Sequence, residues 1–400
     1  MSGGRGMLSR WTAAQLEAGG WVRRMFTEGE RLRALHGPDS VADLSLGQPL
    51  DEPADAVRAA IAAAAAERGA ERFGYMPNLG FPEARARVAA DAGVDVGPEC
   101  IALTGGAGAA ICLALRAFVD PGDEVVGVVP FFGEYRAYCA SAGATWVTAA
   151  SAPDHGLDLG ALERALTPRT AAVILNTPCN PSGHVATAAE LTGLAAVLEH
   201  HRRRHGRQVV LIVDEVYHRL VYPPSTHLHP FSVHPATVLA RSFSKDLGLA
   251  GERIGYLALH PELATPEVMR GLELCQRALG FVNAPATMQR MLVHLPSLDV
   301  DLAPFQARRD LALELATDAG LEVADPQGGI YLWVRVPGGD ALALASTLAQ
   351  RRVLVAPGAA FGTAGWLRVC FTAPVPALRR GLGVIGECAA ELDPTLEMTA

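Results

Sequence analysis

The chain has 400 residues, half of them apolar and 19% charged, with 41 Gly and 27 Pro. At roughly 150 residues per domain this is a globular protein of two or three units, and the mix excludes a disordered or collagen-like chain. The net charge of −8, with 202–204 as the one basic block, disfavours nucleic acid and anionic membrane as partners, and apolar runs such as 61–66 are far short of the roughly 20 residues that span a bilayer.

The first residues, Met-Ser-Gly-Gly-Arg-Gly-Met, lack the apolar core of a secretory signal, so a cytoplasmic protein is expected. Seven scattered cysteines without a Cys-x-x-Cys pair fit reduced thiols filling a core. Of the 34 basic residues, 33 are arginine and one, Lys245, is lysine. Arginine neither loses its proton nor forms a Schiff base, whereas lysine does both, so Lys245 marks a position where arginine cannot serve.

In chain order, the first 45 or so residues carry helical periodicity around Leu32 and Leu35 without a large core of their own. The Ala-rich stretch 59–66 reads as helix. A short strand is expected at 101–103, and buried strands at 125–129, 171–175, 209–213 and 237–240. A helix over 187–205 opens with a capping box at Thr187 and Glu190. This alternation predicts an α/β fold with a doubly wound, mostly parallel sheet. Beyond about 295 the rhythm changes to a long helix near 300–319 and strands at 330–336, 353–356 and 366–371, an α+β unit. The expected division is an N-terminal segment 1–47 packing with the small domain, a large domain 48–296 and a small domain 297–400.

Asp214 follows one predicted strand directly, Asn180 sits in the turn after another, and Lys245 comes just after a third. Successive members are about one βαβ unit apart, which brings all three to the carboxyl edge of one sheet, where doubly wound folds bind ligands. Taken singly, each has a plain structural reading as a turn former, a helix cap or a solvated surface residue. Gly105, Gly106 and Ala107 follow the strand at 101–103 and open a helix, an arrangement suited to an anion. Ile111 occupies the third glycine position, so a dinucleotide fingerprint is disfavoured. His200, His201 and His205 lie on one helix without a metalloprotease order and read as a solvated helix end; no metal is expected. His227 and His229 in a Pro-rich loop receive no role.

The segment Ser242-Phe-Ser-Lys245-Asp-Leu-Gly-Leu-Ala-Gly-Glu-Arg253-Ile-Gly-Tyr resembles the lysine motif of class I/II aminotransferases, fold type I enzymes dependent on pyridoxal 5′-phosphate. The likeness runs from about 40 to 375 through Leu-Ser-Leu-Gly47-Gln-Pro, Tyr75-Met-Pro-Asn-Leu-Gly, Thr104-Gly-Gly-Ala-Gly-Ala, Pro130-Phe-Phe, Asn180-Pro-Ser-Gly, Asp214-Glu-Val-Tyr217 and Arg368, in the family's order. The resemblance implies that Lys245 holds the cofactor as a Schiff base. It makes Asp214 the partner of the pyridine nitrogen, and Asn180 and Tyr217 the partners of the ring oxygen. It gives the phosphate to Gly105, Gly106, Ala107, Ser242, Ser244 and Arg253, and the face of the ring to Phe132, with Phe131 in the core. Gly47, Asn180 and Arg368 are left to bind the substrate, Arg368 as a bidentate fork for its α-carboxylate.

By the same resemblance Tyr75 reaches the neighbouring subunit's phosphate, which implies a homodimer with shared sites. The expected activity is amino-group transfer between an L-amino acid and a 2-oxo acid; the alternative is elimination, replacement or cyclisation on the same cofactor, for example with S-adenosylmethionine. A non-catalytic regulatory domain is disfavoured because no position of the motif set is lost. Gln48, Phe131 and residues around Trp21 are expected in the pocket wall.

Overall fold

The computed structural model describes residues 7–18, 21–47, 52–72 and 74–392. The first six residues, Gln48 and the side chain of Trp21 lie outside the described set.

A seven-stranded sheet forms the centre of the larger unit. Its spatial order is Ile101–Thr104, Gly255–Leu259, Thr237–Ser242, Val210–Asp214, Thr170–Asn176, Glu124–Val128, Thr145–Ala149. All neighbours run parallel except at Gly255–Leu259, which is antiparallel to both its partners. Strands buried on both faces need continuous apolar runs, and Val210 to Val213 and Thr237 to Ala240 are buried throughout. One face packs on Leu191, Leu194 and Leu198 of the helix Ala188–His205 and on Met291 and Leu292. The other packs on Ala110, Ile111 and Leu115 of the helix Ala107–Phe118 and on Leu272. The capping box is present: Thr187 accepts from the Glu190 backbone and the Glu190 carboxylate accepts from Thr187 N–H.

The smaller sheet has four antiparallel strands in the order Ala356–Pro357, Trp366–Cys370, Tyr331–Arg335, Val323–Ala324. The expected strand at 353–356 is two strands. Val353–Leu354 pairs in parallel with Ala42–Asp43, and Ala356–Pro357 pairs with Trp366–Cys370. The chain changes partner at Val355, and an apolar run gives no sign of where its hydrogen bonds go. Leu32 and Val41 pack on Leu354, so the N-terminal residues contact the same strand region.

His201 corrects one expectation. Its ring is buried and Nε2 contacts the Thr167 carbonyl at 2.9 Å, so it anchors a loop rather than lying in solvent. The seven cysteines are free thiols.

Candidate active site

The loops after five strands of the large sheet leave from one sheet edge, and short local bonds anchor the turns that hold Asn180 and Lys245. Asn176 ends its strand opposite Asp214, gives its amide to the Asp214 carbonyl at 2.9 Å and accepts Asn180 N–H at 2.6 Å. The Asn180 turn is thereby tied to the Asp214 strand. The turn holding Lys245 is anchored by Asp246, which pairs with Arg219 at 2.9 Å and accepts Leu247 N–H.

Asp214 is buried and its Oδ2 accepts a 2.5 Å hydrogen bond from the Tyr135 hydroxyl. Burial pushes its carboxyl up to about 6, against the lowering effect of Tyr135 and of Val216 N–H. The half-buried Lys245 donates from Nζ to the Gly47 carbonyl. Burial pushes its amine below the ordinary ammonium range, opposed by Cys370 and reinforced by the charges of Arg368 and Arg253. Burial thus disfavours the charged form of both groups, the Lys245 ammonium and the Asp214 carboxylate, as at sites that move protons.

Gly106 caps the helix Ala107–Phe118 at φ 93, and a Cβ there would meet Arg253 Nη2 at 2.9 Å. Only glycine permits both that backbone and that approach. The first N–H groups of the helix have no intrahelical acceptor. Arg253 donates to the carbonyls of Gly105 at 3.0 Å and Ala250 at 2.8 Å; the Ser242 and Ser244 hydroxyls lie 2.7 Å apart, and Ser242 also donates to the carbonyl of Ile254, the next residue, at 3.3 Å. These groups form a small basic cradle.

Arg368 lies in the middle of the smaller sheet, opposite Trp333. Its Nη1 donates to Asn180 Oδ1 at 3.0 Å and its Nη2 to the Ser45 carbonyl at 2.6 Å, while the guanidinium stacks 4.2 Å from the Tyr331 ring centroid. The Arg368–Asn180 bond joins the two sheets at the site. Tyr217 is buried and donates to the Tyr331 hydroxyl at 3.2 Å. Gly47 has no room for a side chain, because a Cβ would meet Tyr331 Oη at 2.0 Å.

Phe132 is half-buried and packs edge-on against Tyr135. Phe131 is buried against Trp146 with ring centroids 4.9 Å apart, within a core cluster of the large unit. Tyr75 is fully exposed.

Tyr135, Tyr331 and the Ser45 carbonyl were not singled out from the sequence. A tyrosine in an apolar window is indistinguishable from a core residue until its hydroxyl partner is known. His227 and His229 also gain a setting: with Glu215 they form a tight group whose cation is Arg241, which bonds Glu215 at 2.7 Å and contacts His229 Nδ1 at 2.9 Å.

The profile of the family "Aminotransferase class I and II" matches residues 39–385. The probable aspartate aminotransferase of Methanocaldococcus jannaschii is 28% identical over 328 residues, 78% of this chain and 84% of that one. The probable N-succinyldiaminopimelate aminotransferase of Mycobacterium tuberculosis is 32% identical over 274 residues, 64% of this chain and 66% of that one. An aminotransferase structure from Eubacterium rectale matches with TM-score 0.88 at 27% identity, covering 97% of this chain and all of the other. The chain belongs to the aminotransferase class I and II family and is a fold type I, pyridoxal 5′-phosphate-dependent aminotransferase.

Proposed function

We propose that Lys245, Asp214, Asn180, Tyr217 and Arg368 form one centre that transfers an amino group from an α-amino acid to a 2-oxo acid. The observation that carries this reading is the placing of the chain's single lysine, half-buried and with its amine pushed below the ordinary ammonium range by burial, at the edge that also holds a buried carboxyl and a buried arginine fork. The donor set fits the family's cofactor. Among the described residues, Arg253 bonds only to carbonyls, leaving its charge for an anion beside a glycine turn that a Cβ would close. Bound pyridoxal phosphate supplies an aldehyde for the amine and a ring that accepts the electron pair left when a proton leaves the substrate.

The residues of the chain do the rest. Lys245 takes the proton from the substrate's α-carbon and returns one at the carbon that carried the aldehyde. Asp214, as a carboxylate, would partner the ring nitrogen and keep it protonated. Tyr217 and Asn180 would hold the ring oxygen, Phe132 would lie against the ring, and the helix N-terminus, Gly105, Gly106, Ala107, Ser242, Ser244 and Arg253 would bind the phosphate. Arg368 binds the α-carboxylate, which takes over the bonds now made to Asn180 and Ser45. Fully exposed Tyr75 serves the second subunit of a homodimer. We assign the protein to the cytoplasm and divide it as 1–47, 48–296 and 297–400.

A half-reaction tests the activity. Adding a donor amino acid without any oxo acid converts about one equivalent of cofactor per site to its amine form, and a 2-oxo acid reverses the change. Repeated release of product without an oxo acid would instead assign the centre to elimination, replacement or cyclisation.

A further inference from the structure

Two phenols meet beside Gly47. Tyr331 lies on the strand Tyr331–Arg335, two residues from Trp333 and diagonal to Arg368 on the same face of the smaller sheet. Its ring carries the Arg368 guanidinium at 4.2 Å, its hydroxyl occupies the space that a Gly47 side chain would need, and the same hydroxyl accepts from Tyr217 at 3.2 Å. Both tyrosines are buried. Gly47 in turn receives the Lys245 amine on its carbonyl. One side chain therefore touches the carboxylate fork, the glycine assigned to substrate binding, and the phenol assigned to the ring oxygen.

We propose that Tyr331 is a positioning residue with two separable parts, a ring that orients Arg368 and a hydroxyl that polarises Tyr217. The inference rests on the assignment of Tyr217 given above. A phenol has one proton and accepts through its lone pairs. When Tyr217 gives its proton to the ring oxygen of the bound cofactor, its oxygen is free to accept, and the only hydroxyl within reach among the described residues is that of Tyr331. The pair then reverses: Tyr331 donates to Tyr217 and Tyr217 donates onward. A donor that itself accepts a hydrogen bond is polarised and donates more strongly, more so in a buried site. Stronger donation favours the anionic ring oxygen, and the holoenzyme's visible band then titrates at lower pH. Arg368, Asp214 and Cys370 are the charged and titratable groups that face the pair, and both variants below leave them in place.

The test is a spectroscopic pH titration of the cofactor-loaded enzyme, joined to binding of 2-aminoisobutyrate, an amino acid without an α-hydrogen. Tyr331→Phe keeps the ring and loses the hydroxyl. It is expected to raise the midpoint of the visible band by roughly 0.5 unit while leaving 2-aminoisobutyrate affinity within about twofold of the parent. Tyr331→Leu loses both parts and is expected to raise the midpoint similarly and to weaken that binding by roughly tenfold, as loss of a cation–π support implies. In a Tyr217→Phe background, Tyr331→Phe should leave the midpoint where Tyr217→Phe alone puts it. If Tyr217→Phe moves the midpoint and Tyr331→Phe does not, the proposal fails while the reading of Tyr217 stands. If Tyr217→Phe moves nothing, the assignment of Tyr217 is at fault. Equal loss of 2-aminoisobutyrate binding in the Phe and Leu variants would overturn the division between ring and hydroxyl.

Discussion

Tyr135 gives its hydroxyl proton to Asp214 Oδ2 at 2.5 Å, with both side chains buried at the carboxyl edge of the large sheet. Burial drives the Asp214 carboxyl up to about 6 from 3.8, and the Tyr135 bond restrains that rise. In the cofactor-free protein the folded state therefore holds a proton, between about pH 4 and 6, that the unfolded chain has released. The sign follows from linkage: this stability is full below pH 4 and is lost as pH rises through 6, an effect of about 3 kcal/mol. Asp214→Asn should flatten that part of the profile and Tyr135→Phe should steepen it, as measured by urea unfolding of the cofactor-free protein at stepped pH. Parallel profiles for all three proteins would show that Asp214 is not the group responsible.

Lys245 is the only lysine, so reduction of the cofactor-loaded protein with borohydride should fix the cofactor on one internal peptide, read by mass spectrometry. Lys245→Ala should abolish steady turnover yet retain cofactor through Arg253 and the glycine turn. Lys245→Arg should be equally inactive, because a guanidinium stays protonated and cannot join the aldehyde. Label appearing only on the N-terminal amine would remove Lys245 from its role.

Behind the site, Arg241 and Glu215 are both fully buried and bonded at 2.7 Å. Burial pushes the Glu215 carboxyl up, but Arg241, His227 and His229 hold it well below the usual range. Arg241→Ala leaves that carboxylate without its cation and should cost about 3–5 kcal/mol of stability. The Arg241→Ala, Glu215→Ala double variant should recover part of the loss, since the uncompensated charge is gone. Additive losses in urea unfolding would show that the two residues act separately.

Tyr75 supplies a test of the shared-site dimer. Lys245→Ala subunits mixed with Tyr75→Phe subunits form heterodimers with one doubly altered site and one intact site. Activity should rise above that of either homodimer after subunit exchange. No gain on mixing, with heterodimers verified by native mass spectrometry, would separate Tyr75 from the partner's centre.

Strand after strand of the large sheet was legible because burial on both faces demands apolar runs such as Val210 to Val213, and a capping box announces a helix start within a few residues. The polar residues at strand ends were legible for the same reason: Asp214, Asn180 and Lys245 interrupt or follow those runs at βαβ spacing. The antiparallel strand Gly255–Leu259 and the split at Val355 were not, since strand direction and partner are set by hydrogen bonds to segments distant in the chain.

The sequence by itself determined the fold class and the one amine able to carry the chemistry, because periodicity is local and a single lysine among 34 basic residues is a matter of counting. Tertiary structure alone decided which neighbours tune that chemistry. Tyr135 against Asp214, Tyr331 between Tyr217 and Arg368, and Arg241 between Glu215 and His229 are contacts across 79, 114 and 26 residues or fewer. A buried tyrosine or arginine gains its role from the partner that satisfies its polar end. Nothing in the local pattern around such a residue specifies that partner; the packing of helix on sheet, strand beside strand and one sheet against the other does.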